Sequence, residues 1–366
     1  MKTRALNTAL AILTACAIGG CGDDPTGSGG AAGGAGGAGG SGGDGTGATT
    51  SSGESGGGGS GASGGSGGGA MIEVLASFDA ATFELPEGLA VTDTDVLVGF
   101  GFTSKIDRFD LESGTRTPLS TLPVPAPNTG FMTGLTTDAA GATYAALVSF
   151  TPDPTAGVYR IPAAGGEPTL FASNPELIFP NGFAWGEAGT LFVTDSATGK
   201  VFRVTPEGVA VVWSSDALLA GDPTLCGGQP EDITVGANGI VWTPEAVFVA
   251  TSDQALVARI PIASDGSAGV AEAFTTPDCE LLAGLDGIAL DADGSLVGAV
   301  NRSDRLVRID TTGSVSVLFE GAPLDFPASL SFHGTGADRA LYVTNFALNR
   351  ALAGQPASPA LLRVSL

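Results

Sequence analysis

Six short segments of this chain can be written in one register, and that repeat limits the fold more than any other feature. They are PEGLAV from Pro86, MTGLTT from Met132, PNGFAW from Pro180, ANGIVW from Ala237, LDGIAL from Leu285 and PASLSF from Pro327. Five carry glycine at the third place, and all carry an apolar residue at the fourth. Counted at the second place, the spacings are 46, 48, 57, 48 and 42 residues, the period of propeller blades.

Each segment is followed by a turn and a second β-rich run, such as LFVTD from Leu191 or LYVTN from Leu341. A third run then places an arginine before an apolar residue, at Arg108, Arg160, Arg203, Arg259, Arg308 and Arg363. Third strands lie toward the outside of a blade, so these arginines are expected to pack their stems between blades with heads paired or in solvent. Strand-length runs punctuated by Gly, Pro, Asp and Ser, without a sustained helical period, predict an all-β chain. Repeat length and number predict a six-bladed β-propeller. The sixth repeat ends after Arg363 without a fourth strand, and residues 72–78, IEVLASF, are expected to supply it, closing the ring and covering two sheet edges.

The propeller therefore occupies residues 71–366. Ahead of it, Lys2 and Arg4 precede an apolar stretch from Ala5 to Ile18 and then Ile18-Gly19-Gly20-Cys21, the layout of a signal peptide over residues 1–20. The small residues before Cys21 resemble a bacterial lipobox, which implies a lipid on Cys21; an ordinary secretory signal leaving a free thiol is the alternative. Residues 21–70 read as a disordered Gly/Ser-rich linker: positions 26–70 hold 24 glycines in 45 residues and bury nothing that would offset ordering entropy. The expectation is an exported protein, lipid-anchored on the periplasmic or cell-surface side, with the outer membrane favoured.

Without Lys2 and Arg4 the chain has 13 basic against 38 acidic residues, a formal charge of −25. That excess argues against nucleic acid or an anionic lipid surface as partner and leaves membrane contact to the anchor alone. A monomer is expected. With Cys21 acylated, Cys226 and Cys279 can pair in an oxidising compartment, two buried thiols being the alternative.

The second place of the repeat falls near one end of each innermost strand, so its residues should ring the channel: Glu87, Thr133, Asn181, Asn238, Asp286 and Ala328. Two carboxylates and two amide oxygens, completed by water, suit Ca²⁺, with Mg²⁺ or Mn²⁺ possible. Zinc is disfavoured, because His333 is the only histidine and follows the sixth inner strand. The plainer alternative is that Asn-Gly and Asp-Gly are turn formers bonded to nearby backbone. Phe131, Phe179 and Phe326, each one or two residues before a ring position, together with Thr133, are read as a pocket mouth, with core packing as the alternative for the rings.

Taken as an ordered set, these residues resemble the senescence-marker-protein/gluconolactonase-like, or regucalcin-like, calcium-dependent propellers, and more distantly the paraoxonases and diisopropyl fluorophosphatase. The resemblance covers essentially all of residues 71–366. It implies a calcium held by Glu87, Asn181, Asn238 and Asp286, and an enzyme that hydrolyses lactones or related esters. Asp286 would be general base or nucleophile, or a ligand only; Asp195 would orient water or substrate, or be an exposed turn residue. The chain departs from paraoxonases where Phe131, Met132 and Thr133 replace histidines. Gly88 and Gly182 stand where a second metal would want acids, and Phe179 and Pro180 where a sugar-acid arginine would precede Asn181. Two rivals follow: a non-catalytic, metal-stabilised propeller binding a protein or glycan, and a strictosidine-synthase-like enzyme without this metal set.

Overall fold

The β-branched and aromatic runs between the turns form strands, and each group of four makes one antiparallel sheet. In the computed structural model, which describes residues 71–366 apart from 231, 337 and 338, Pro86–Val91, Asp95–Phe100, Lys105–Asp110 and Arg116–Thr121 pair in chain order. Blades 2 to 5 repeat that order with inner strands Gly130–Thr137, Pro180–Trp185, Ala237–Trp242 and Leu285–Leu290. Blade 6 is assembled from both ends of the described chain. Pro327–His333, Ala340–Asn345 and Ala360–Ser365 are completed by Met71–Ser77, which pairs antiparallel with Ala360–Ser365 from Met71 opposite Ser365 to Ser77 opposite Ala360. The six-bladed propeller and its closure by the N-terminal strand therefore match the reading of the repeat. The signal segment, the linker and Cys21 lie outside the described residues.

A four-stranded sheet with two apolar faces must bury both, and here adjacent blades do this for each other. Leu97, Ile106, Met132 and Leu147 form one buried cluster between blades 1 and 2. Phe192, Val201, Val247 and Ile260 do the same between blades 3 and 4, and Leu361, Tyr342, Val98 and Phe100 between blades 6 and 1. The core is thus a ring of interfaces around an axis, and the inner strands stand where those interfaces converge.

The six register arginines lie on third strands, as expected. Arg108 donates to the Ala163 carbonyl of the next blade, Arg160 to the Tyr144 hydroxyl, and Arg259 and Arg308 pair with Glu272 and with Asp291 and Asp293. His333 sits at the far end of its inner strand opposite Ala340, edge-on to Tyr342.

Candidate metal centre at the channel mouth

The inner strands break register at the ring position. Pairing with the second strand skips from Pro180 to Phe183, from Ala237 to Ile240, from Leu285 to Ile288 and from Pro327 to Leu330, with related breaks in blades 1 and 2. Such irregularities re-aim side chains and release backbone groups from the ladder. The freed carbonyls point at the preceding blade. A Cβ on Gly88, Gly134, Gly182, Gly239 or Gly287 would lie 2.3, 2.2, 2.6, 2.4 or 2.6 Å from the carbonyl oxygen of Thr133, Asn181, Asn238, Asp286 or Ala328. Glycine at the third place is therefore required by close approach between inner strands. Between blades 6 and 1 the third place is Ser329, and Thr344 Oγ1 donates to the Glu87 carbonyl at 2.9 Å, as Thr194 Oγ1 does to the Asn238 carbonyl between blades 3 and 4.

A second register position, the residue directly after the second strand, supports the ring. In blades 3, 4 and 5 it is Ser196, Ser252 and Asn301. Asn181 Nδ2 donates to Ser196 Oγ at 3.1 Å, Asn238 Nδ2 to Ser252 Oγ at 3.0 Å, and Asn301 Nδ2 to Asp286 Oδ2 at 3.0 Å. The two serines in turn donate to the Ala237 and Leu285 carbonyls of the next blade, at 2.8 and 2.7 Å. A hydroxyl whose proton is engaged in this way can only accept from the asparagine, so each amide nitrogen is held on serine and each Oδ1 is left for another partner. In blade 1 the equivalent residue is Gly101, which has no side chain. Glu87 Oε2 is buried without any hydrogen-bond partner.

These side chains, almost fully buried, interact electrostatically. Burial pushes the Glu87 carboxyl well up, and the Asp286 carboxylate nearby adds to that rise. Burial also pushes Asp286 up to about 6, against the pull of the Asn301 and Asn238 amides. Two acids sharing one desolvated site is the situation that a bound divalent ion relieves. Among the described residues no three His, Cys, Asp or Glu side chains converge, so a cation here depends on the amide oxygens. The donor set, two carboxylates and two amide oxygens with one carboxylate oxygen orphaned, fits a hard oxygen-seeking ion better than zinc.

The other predicted site residues differ in their placement. Asp195 is neither an exposed turn residue nor directed at the channel. It is fully buried, and Oδ2 accepts from the Ile178 and Phe179 N–H groups at 2.6 and 2.7 Å while Oδ1 accepts from Ala197 and Thr198. With its oxygens engaged it clamps the segment that delivers Asn181, a positioning role. Thr133 does not line a mouth either, because it is buried and its hydroxyl donates to the Pro180 carbonyl at 2.7 Å. Phe131, Phe179 and Phe326 belong to a larger aromatic group. Phe131 lies edge-on to Phe179 at 5.4 Å and stacks on Phe102 at 5.8 Å; Phe102 continues to Phe346 at 6.1 Å, and Phe346 to Phe326 at 6.2 Å. Sequence reading missed Ser196, Ser252, Asn301, Phe102 and Phe346. Extending the repeat alignment to the end of the second strand would have found all but Phe102.

Cys226 and Cys279 form a disulfide. It ties the long connection between blades 3 and 4, the source of the 57-residue spacing, to the short helix Cys279–Leu282 before blade 5. Gly221 and Gly236 meet at the neck of that connection, where a Cβ on Gly236 would lie 2.7 Å from the Gly221 nitrogen.

This geometry can be set beside known proteins. Residues 217–347 match the SMP-30/Gluconolactonase/LRE-like region. The match spans the fourth and fifth ring positions, Asn238 and Asp286, and the sixth, so the resemblance read from the ordered ring is upheld by the family comparison there. A search of curated proteins finds no match. Among solved structures, regucalcin from Agrobacterium tumefaciens, described as a calcium-binding protein, is similar at 18% identity with a TM-score of 0.58, covering 80% of this chain and 92% of its own. A gluconolactonase from Xanthomonas campestris is similar at 16% identity and a TM-score of 0.57, covering 82% and 90%. The PQQ-bound aldose sugar dehydrogenase of Streptomyces coelicolor is as similar, at 20% identity and 0.57, over 81% and 98%. At these identities the likeness is one of fold, and the site must carry any statement about activity.

Proposed function

We propose that this propeller is a calcium-dependent hydrolase of lactones or related esters. The observation that carries the reading is the orphaned Glu87 Oε2 at a mouth where Asp286 and the freed Oδ1 atoms of Asn181 and Asn238 are the remaining donors of the ring. The family match over residues 217–347 supports it. Glu87, Asn181, Asn238 and Asp286 would hold the ion. When bound, Ca²⁺ supplies Lewis acidity to a substrate carbonyl oxygen and lowers the pKa of a neighbouring water. Asn301 holds Asp286 by its Oδ2, and Asp286 would take a proton from water as general base. Ser196, Ser252 and Asp195 keep the amide ligands oriented through backbone carbonyls and N–H groups.

A second reading, a non-catalytic propeller that the metal only stiffens, is favoured by the position of His333 at the far end of its strand, which leaves no imidazole beside the ring. Hydrolysis of a lactone and aryl-ester panel with Ca²⁺ and with chelator separates the two. Metal-dependent turnover lost in Asp286→Asn supports the enzyme. Calcium binding that raises the melting temperature without any turnover supports the stiffened module. We further propose from the N-terminal sequence that Cys21 is lipidated and tethers the propeller to a membrane; mass analysis of the mature N-terminus tests this.

A further inference from the structure

The mouth is chemically divided. On the side of blades 3, 4 and 5 the ring residues are Asn181, Asn238 and Asp286, each hydrogen-bonded to a polar side chain from the second strand's end. On the side of blades 6, 1 and 2 the corresponding support positions are Phe346, Gly101 and Phe150, and the ring residues apart from Glu87 are Ala328 and Thr133, whose hydroxyl is engaged. Phenylalanines join across the blades there, from Phe326 through Phe346 and Phe102 to Phe131. Phe102, Phe131 and Phe326 stay partly exposed, and Phe83, 6.1 Å from Phe102, is 42% exposed. Rings serving only as core would be buried.

Two of them are also held in a backbone conformation that side chains resist. Phe83 and Phe326 have φ of 57° and 49°, in the left-handed region. Phe326 is fixed there by its N–H on Asp304 Oδ1 at 2.7 Å, and its carbonyl accepts the Phe346 N–H. Strained aromatic residues at a rim, opposite a sector of oxygen donors, point to a ligand with one apolar and one oxygen-bearing part.

We infer that the site takes esters or lactones whose acyl or aryl part is apolar, not polyhydroxylated sugar lactones. The alkyl or aryl group lies against the partly exposed Phe102, Phe131 and Phe326, which the buried Phe346 joins, and the carbonyl faces Asn181, Asn238 and Asp286. Sugar hydroxyls turned to the phenylalanine sector would lose water without gaining a partner, which is costly, whereas a methylene placed there gains about fourfold, ~0.8 kcal/mol. The inference rests on the hydrolase reading for its reaction, in which water adds to the carbonyl and the acyl C–O bond breaks, giving a hydroxy acid from a lactone or an acid and an alcohol or phenol from an ester. The preference for an apolar group rests on the aromatic arc alone.

The test uses the calcium-loaded protein with γ-butyrolactone, γ-hexalactone, γ-nonalactone, phenyl acetate and glucono-δ-lactone. The expected result is kcat/KM rising with chain length by about fourfold per methylene until the arc is covered, mostly through KM, with the sugar lactone poorest. Phe102→Ser and Phe131→Ser should flatten that gradient, and Phe131→Leu should keep most of it, provided all three melt cooperatively. A flat gradient in the wild type, or preference for glucono-δ-lactone, overturns the inference. If no lactone is turned over, calorimetry with the non-hydrolysable 2-pentylcyclopentanone and cyclopentanone decides. Tighter binding of the alkylated ketone, weakened by Phe102→Ser, supports the apolar mouth while the hydrolase reading falls; equal or absent binding overturns the mouth as well.

Discussion

Asn181 donates to Ser196 at 3.1 Å, and Ser196 donates to the Ala237 carbonyl of the next blade at 2.8 Å, so the orientation of this amide is tied to the packing of one blade on another. Removing the hydroxyl frees the amide to rotate. Ser196→Ala should lower Ca²⁺ affinity about tenfold, the usual effect of losing a group that orients a ligand, and reduce stability by about 1 kcal/mol. Titration calorimetry and a denaturant melt separate the two effects; unchanged affinity would remove Asn181 from the ligand set.

The metal-free protein should lose stability as pH rises. Burial raises the folded-state pKa of Asp286 to about 6, while an unfolded aspartate stays near about 3.9. A raised carboxyl contributes stability that is complete below the unfolded value and is lost as pH climbs through the folded one. Between about pH 4 and 6 the loss is of order 3 kcal/mol, before any relaxation of the site. Melts in chelator across that window should show it. Asp286→Asn should reduce the dependence to what the buried Glu87 still contributes, and saturating Ca²⁺ at pH 7 should restore the stability that the ionised pair costs.

Gly239→Ala tests the close approach of inner strands. Its Cβ would fall 2.4 Å from the Asp286 carbonyl oxygen and 2.6 Å from the Ile288 nitrogen, both backbone atoms that cannot swing aside. A loss of about 3 kcal/mol is expected, with weakened Ca²⁺ binding because Asp286 must shift. A variant as stable as wild type would show that the blades can part locally.

Reduction of Cys226–Cys279 should loosen the long connection between blades 3 and 4 first. The bridge closes a separation of 53 residues, for which chain entropy assigns about 4 kcal/mol. Limited proteolysis of Cys226→Ser/Cys279→Ser should cut between Gly221 and Gly236, near exposed Leu225, before any blade. First cleavage elsewhere would mean that the neck holds the connection without the bridge.

Deletion of Met71–Ser77 should open the ring. Ala360–Ser365 would become an unpaired edge, and the propeller should lose cooperative melting and associate on a sizing column. A monomeric, cooperative variant would show that three strands suffice for blade 6.

The fold was legible because the blade is a local object. Strand-length apolar runs, turn residues and a third-place glycine recur every 42 to 57 residues, and the missing fourth strand after Arg363 pointed to residues 72–78 as its replacement, one residue off the observed Met71–Ser77. The ring residues were legible for the same reason, since one register position repeated six times occupies one position about an axis.

What the sequence determined, then, was the architecture and the register position at which the six inner strands break their pairing. What only the tertiary structure decided was how the side chains there are used. Asp195 reads as a turn residue until folding buries it under the N–H groups of Ile178 and Phe179, partners 17 and 16 positions away. Thr133 reads as a channel hydroxyl until its oxygen is found on Pro180 of the next blade. The orphaned oxygen of Glu87, the amides held by Ser196 and Ser252, and the phenylalanines joined from Phe326 to Phe131 all depend on contacts between residues far apart in the chain. Local propensity carries no information about such distances; closing the ring sets them.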